Sequence, residues 1–270
     1  MPANSPALSQ AQIDRFITDG FVRLDHAFPT EIAAQCRAIL WPLTGADPND
    51  RSTWTRPVVH IAYRADPPFF ESINTPILHA AFDQLVGKGR WAPRDSVGTI
   101  PIRFPSDQPP GDDGWHIDVS YGWRERPNDF MSWRANIFSK DRALLVLMLY
   151  SDVGEHDAPT RIRVGSHRHI ARRLAPAAEA GLTLREISDD GYVSTAHLPE
   201  ALATGPAGTV YLCHPFLVHA AQPHRGSRVK FMAQPNLPLP QPLVLDRPDG
   251  GYSPVEIAIH RALDPDATFR

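Results

Sequence analysis

Two hydrophobic periodicities divide the chain. Over the first third, apolar residues recur at helical spacing: Ile13, Phe16 and Ile17 follow Ser9 and Gln12, which stand as a capping box, and Gly20 is placed to stop the helix. Phe21 to Leu24 reads as extended, and Pro29-Thr30 opens a second helix through Ile32, Cys36, Ile39 and Leu40. Residues 44–57, rich in Gly, Asp, Asn, Pro and Ser, read as a loop. A third helical stretch, Pro68 to Val86, carries an apolar stripe through Phe70, Ile73, Ile77, Leu78, Ala81, Phe82 and Leu85, and Pro76 divides it.

From about residue 97 the pattern becomes that of short strands between turn residues. Thr99 to Phe104, Trp115 to Ser120, Arg134 to Phe138, Leu144 to Ser151, Arg161 to Val164, Tyr192 to Ala196, Thr209 to Cys213, Leu217 to Ala220 and Val229 to Ala233 are the segments. Their number and spacing predict a mainly β fold with flanking helices, its core a double-stranded β-helix (jelly roll, cupin-like) of two packed antiparallel sheets. The 28 prolines agree, because proline breaks helix interiors and favours short extended pieces. One domain over 1–270 is expected: a helical part over about 9–90, a jelly-roll core over about 97–235 and a C-terminal wrap over 236–270.

Composition narrows the function classes. With 42% hydrophobic and 21% charged residues the chain can bury a full core. The net charge of −3 is dispersed, with no basic stripe, so neither nucleic acid nor an anionic membrane is an expected partner. No apolar run nears the roughly 20 residues of a membrane span, and the first six residues lack the regions of a secretory signal. A soluble, cytoplasmic protein acting on a small molecule is expected, its oligomeric state open. Cys36 and Cys213 lie in different elements and read as small core residues.

The chemistry begins at Trp115-His116-Ile117-Asp118. On a strand, residues two apart point to the same face, so the imidazole of His116 and the carboxylate of Asp118 can reach one ion. With 12 His and 30 acidic residues, about one such pair arises by chance. A two-histidine, one-carboxylate set fills one face of an octahedron and leaves open positions, and His219 is the natural third member. Its context adds weight: an apolar strand follows Gly208, a Pro turn leads to His219, and Arg228 and Lys230 follow nine and eleven residues later. Those two share a strand face, with Val229, Phe231 and Ala233 on the other. A cation inside a barrel needs an anion, which the distal carboxylate of a dicarboxylic acid supplies.

Together these features resemble the phytanoyl-CoA dioxygenase type of Fe(II)/2-oxoglutarate-dependent oxygenases, over nearly the whole chain. The resemblance rests on Asp19-Gly20-Phe21-Val22, His116-x-Asp118, Pro159-Thr-Arg-Ile-Arg-Val-Gly165-Ser166-His167, the Gly208 strand and His219 with its trailing basic residues. It implies Fe(II) held by His116, Asp118 and His219, 2-oxoglutarate and O2 as cosubstrates, and a basic residue eleven beyond the distal histidine on the 2-oxoglutarate C5 carboxylate. That residue is usually arginine; here it is Lys230, and Arg228 stands two positions earlier, so the pair is expected to act jointly. Arg134 and Asn136 share a strand face and could touch 2-oxoglutarate or substrate. In related halogenases the carboxylate ligand is Ala or Gly; Asp118 is present, which favours hydroxylation or another oxidation without halide. The resemblance makes 165–169 a structural turn. The alternatives are a non-catalytic or degenerate jelly-roll protein that binds metal or metabolite, and a zinc hydrolase, which leaves the cations beyond His219 unexplained.

Overall fold

The computed structural model describes residues 6–268, so five of the six residues read for a secretory signal lie outside them. Helix α1 (Gln10–Asp19) opens on the expected box, with Gln12 N–H on Ser9 Oγ and Ser9 N–H on Gln12 Oε1, and ends at Gly20 with φ 87. Strand β1 (Phe21–Leu24) follows, then α2 (Thr30–Thr44), β2 (Val58–Ile61), and the divided pair α3 (Pro67–Ile73) and α4 (Pro76–Val86), each carrying proline in its first turn where the missing N–H costs nothing. The remaining strands are β3 (Ile100–Arg103), β4 (Arg134–Ala135), β5 (Leu144–Leu149), β6 (Thr160–Arg163), β7 (Leu182–Thr183), β8 (Glu200–Ala203), β9 (Val210–Cys213), β10 (His219–Ala220), β11 (Met232–Ala233) and β12 (Asn236–Leu237). Helices α5 (His167–Leu174), α6 (Leu184–Ile187) and α7 (Pro254–Leu263) complete the set.

All strand pairs are antiparallel. The main sheet runs β1-β9-β5-β11, with β12 also on β5, and the smaller one runs β10-β6-β8. Strand β5, Leu-Leu-Val-Leu-Met-Leu, is buried throughout because both its faces are covered. Leu145, Leu147 and Leu149 pack with Ile162 and Ala203 of the smaller sheet and with Tyr211, Cys213 and Met232, so the two sheets share an apolar interior. Leu144, Val146 and Met148 join the helix-facing core with Phe16, Leu40, Phe82 and Ile259.

Four readings are corrected. The fold is mixed: its named helices hold more residues than its named strands, so it is not mainly β. Trp115 to Ser120 is not a regular strand; backbone bridges form at His116 and at Tyr121. Tyr192 to Ala196 contains a 3-10 turn over Val193–Thr195, because the Asp190 carboxylate accepts the amides of Tyr192 and Ser194 and curls the chain. The 165–169 segment is a turn only at Gly165 and Ser166, with His167 to His169 already in α5, and the C-terminal wrap contains α7, capped by Ser253 and Glu256.

Candidate metal centre

His116 and His219 face each other across a backbone bridge, each amide donating to the other's carbonyl at 3.0 and 2.9 Å. Their rings lie 4.4 Å apart, and one ligand atom from each of His116, Asp118 and His219 lies within 4.8 Å of the others. Each imidazole donates Nδ1–H to a carbonyl two residues earlier, His116 to Gly114 at 2.9 Å and His219 to Leu217 at 3.0 Å. That fixes the tautomer and leaves both Nε2 atoms free to ligate, the usual support of a metal-binding histidine. Burial and the neighbouring His116 push the His219 imidazole down, against the opposing pull of Asp118, so it is neutral at neutral pH.

A residue not singled out in the sequence completes this arrangement. Arg142, at the turn before β5, donates Nη1–H to Asp118 Oδ2 at 3.1 Å and reaches Val119 O at 3.4 Å. Its side chain is 13% exposed and that of Asp118 26%. Burial pushes the Asp118 carboxyl up, but Arg142, His219 and His116 outweigh it and hold it below the ordinary value. With Oδ2 engaged, Oδ1 is the oxygen left for an ion. No linear signal marks Arg142, because Ser139 and Asp141 adopt left-handed backbone (φ 45 and 68) and the turn they form aims it.

The distal histidine is held from behind. Ser166 Oγ accepts the amide of Val218 at 2.9 Å, His214 O accepts that of Leu217 at 3.0 Å, and β10 pairs with β6 at His219 and Ile162. His167 and His214, both fully buried, lie with ring centroids 4.9 Å apart and planes tilted by 42°, and they donate Nε2–H to Ile17 O and Val255 O. Ser166 and His167 of the Gly165-Ser166-His167 motif thus brace the chain beside His219.

The expected anion partners separate. Lys230 is 1% exposed and bonds Ala158 O at 2.6 Å. Arg228 is 61% exposed at the rim, with Asp152 at 3.5 Å and Asp157 at 3.4 Å, because the strand becomes regular only beyond it. The expected joint action of Arg228 and Lys230 therefore has no shared site here. Arg134 donates to Ala180 O and Gly181 O, and Asn136 to Glu179 O, so both brace the 179–181 turn. Asn136 also lines a cleft of about 730 Å3 with Lys140 and Glu179. His224 is buried. A second residue the sequence reading passed over is Arg103, 4% exposed and opposite Lys230 in the ladder; a lone arginine in the apolar run Ile100-Pro-Ile-Arg-Phe was its signal.

No family model and no curated protein matches the sequence. Solved structures do match in fold. The non-heme alpha-ketoglutarate-dependent carbocyclase SnoK from nogalamycin biosynthesis is 16% identical, with a TM-score of 0.53 over 89% of this chain and 88% of that one. HygX from Streptomyces hygroscopicus, with nickel, 2-oxoglutarate and hygromycin B bound, is 18% identical, with a TM-score of 0.51 over 84% and 86%. EctD from S. alaskensis with bound Fe is 18% identical, with a TM-score of 0.56 over 92% and 84%. At these identities the likeness is one of fold.

Proposed function

We propose that the chain is a non-haem Fe(II)- and 2-oxoglutarate-dependent dioxygenase of the phytanoyl-CoA dioxygenase type, a single domain on a double-stranded β-helix. It oxidises a small organic molecule and releases succinate and CO2. The observation that carries this reading is the convergence of His116, Asp118 and His219 within 4.8 Å, with both Nδ1 atoms committed to carbonyls. The nickel and 2-oxoglutarate bound to HygX and the Fe bound to EctD, proteins of the same fold, support it.

Each residue has a task. His116, Asp118 and His219 would hold the metal on one face and leave positions for two further ligands. When bound, iron with 2-oxoglutarate and O2 supplies the oxidising step, coupled to decarboxylation of 2-oxoglutarate to succinate. His219 meets the ion without first losing a proton, since burial keeps it neutral. Arg142 keeps Asp118 charged and turned so that one oxygen serves. Lys230 would hold the distal carboxylate of the dicarboxylate, and the apolar interior of Leu147, Tyr211 and Met232 would keep water from the reacting centre. The buried free thiols of Cys36 and Cys213 suit a reducing cytoplasm.

Succinate release with Fe(II), 2-oxoglutarate and candidate substrates, against a His116→Ala control, tests the proposal. Succinate that depends on substrate and on His116 is the expected result. Metal retention without succinate, and without the visible absorption that Fe(II) and 2-oxoglutarate develop together under anaerobic conditions, assigns the fold to non-catalytic binding.

A further inference from the structure

Arg103 and Lys230 stand opposite each other where β3 meets the chain leading into β11, each amide donating to the other's carbonyl at 3.0 and 2.9 Å. Cross-strand partners project from one face. Their sequence neighbours Ile102, Phe104, Val229 and Phe231 fill the helix-facing core, so Arg103 and Lys230 face the barrel interior. Two cations side by side in a buried position repel each other and call for an anion.

What they meet is unequal. Arg103 grips Asp112 through both terminal nitrogens, Nη1 on Oδ1 at 2.9 Å and Nη2 on Oδ2 at 2.7 Å, and His60 Nε2–H adds a bond to Oδ2 at 3.0 Å. Arg103 Nε is buried without a partner among the described residues. The Lys230 amine finds a neutral carbonyl, that of Ala158, a residue held at φ 51. One carboxylate thus serves two cations, and it sits on only one of them.

That carboxylate comes from a loop. Residues 105–114, Pro-Ser-Asp-Gln-Pro-Pro-Gly-Asp-Asp-Gly, join β3 to the first metal ligand, and the Asp112 side chain is 28% exposed. Pro109 and Pro110 bring no amide hydrogen to anchor the loop. Beyond Asp112 the chain is tied through Asp113 O to Arg161 at 3.3 Å and through Gly114 O to His116 Nδ1 at 2.9 Å. The Arg103 grip and the bond that orients His116 are therefore two residues apart on one strand of chain.

We infer that Arg103 and Lys230 form a joint subsite for the distal carboxylate of the cosubstrate, and that Asp112 is its built-in occupant, displaced when the dicarboxylate binds. The inference rests on the functional reading above and deepens it. A bidentate arginine–carboxylate contact is the same bond whether the carboxylate is tethered or free. A tethered one competes at the effective concentration its loop sets, which weakens the apparent affinity of the free ligand. Displacement moves residues 105–114 and, through Gly114, reaches the backbone acceptor that holds His116.

The test is calorimetric 2-oxoglutarate binding to the Ni(II)-loaded chain, with proteolysis of residues 105–114 as a second reading. Asp112→Asn is expected to tighten binding by about tenfold, since it removes the competing charge. It should also open the loop to cleavage without ligand, whereas in the native chain cleavage rises on addition of 2-oxoglutarate. Arg103→Lys, which keeps the charge and removes the fork, is expected to weaken binding by about tenfold. Weaker or unchanged binding by Asp112→Asn makes Asp112 a support of Arg103 and overturns the inference, while binding by the native chain leaves the functional reading standing. Unchanged binding by Arg103→Lys overturns the joint subsite in the same way. Absence of 2-oxoglutarate binding in the native chain and in both variants removes reading and inference together.

Discussion

Gly20 lies so close to His167 that a β-carbon at position 20 would stand 2.4 Å from the imidazole Nδ1 and 2.7 Å from Leu217 Cδ1. Leu217 is two residues from His219, so the turn that ends α1 is fitted to the segment that carries this histidine. Its φ of +87 adds a second demand for glycine. Gly20→Ala is expected to cost about 2–5 kcal/mol, from strain and overpacking together. Gly89→Ala, at φ +75 with nothing within 4 Å, should cost about 1 kcal/mol. Urea unfolding of the two variants makes the comparison, and equal losses would show that the close approach to His167 has no energetic consequence.

Arg142 has its own expected signature. Arg142→Met frees Asp118 Oδ2 and removes the cation that keeps the carboxylate charged. Metal affinity should fall by about 10- to 100-fold with the fold retained, as for other groups that orient a ligand. Arg142→Lys should recover part of the loss. A metal titration followed by calorimetry reads both, and native affinity in Arg142→Met would assign the guanidinium to packing alone.

How much of this could be read from residue order follows from the range of each interaction. The α1 cap, the division at Pro76 and the shared face of His116 and Asp118 are local, fixed within a turn or a two-residue repeat. Tyr192 to Ala196 misled because its alternation looked like a strand while Asp190 supplied side-chain acceptors that bent it. The Ser253 and Glu256 box of α7 is as local a signal as that of α1, and it starts a helix within the C-terminal wrap. Arg228 and Lys230 are equivalent by spacing, and only the point at which the strand meets β3 buries one and leaves the other at the rim. The partners of Arg103 and Arg142 depend on which segments come together, which no spacing within either segment encodes.

Acid should destabilise the fold well before its carboxylates titrate. Burial lowers the His167 imidazole to about 3, and burial and His167 together push His214 well below its ordinary value. The unfolded chain, with histidine near its ordinary value of about 6.5, takes up protons first as pH falls. Stability is therefore full above about pH 6.5 and declines toward the folded values, by up to about 1.4 kcal/mol per pH unit for each imidazole. Urea midpoints between pH 7.5 and 5 should fall steadily. His167→Gln, which retains a donor for Ile17 O and loses the titration, should flatten that slope; an unchanged slope would assign it to other groups.

Lys230 and Arg228 are expected to behave unlike each other. Lys230→Ala should weaken 2-oxoglutarate binding by about tenfold or more, and Arg228→Ala should change it less than about twofold, as for an exposed ion pair. Burial and then Arg103 push the Lys230 amine well below its ordinary value, with Asp112 opposing. A carboxylate arriving beside it favours the charged amine. Calorimetric titration of 2-oxoglutarate into the Ni(II)-loaded variants reads both affinities. Equal effects of the two substitutions would remove the distinction between buried anchor and rim residue.

Strand β5 lies between β9 and β11, and β9 lies between β5 and β1, so the main sheet interleaves residues 21–24, 210–213, 144–149 and 232–233. During synthesis the first strand waits for a partner nearly two hundred residues downstream, and β5 leaves the ribosome with both apolar faces bare. Non-local pairing of this kind makes folding slow and leaves early intermediates open to aggregation. The proposed site obeys the same timetable: His116 and Asp118 emerge about a hundred residues ahead of His219, and the proposed anion subsite is whole only when Lys230 follows. A nascent chain therefore cannot bring His116, Asp118 and His219 together early, and chains truncated before β11 should be substrates for chaperones or proteases.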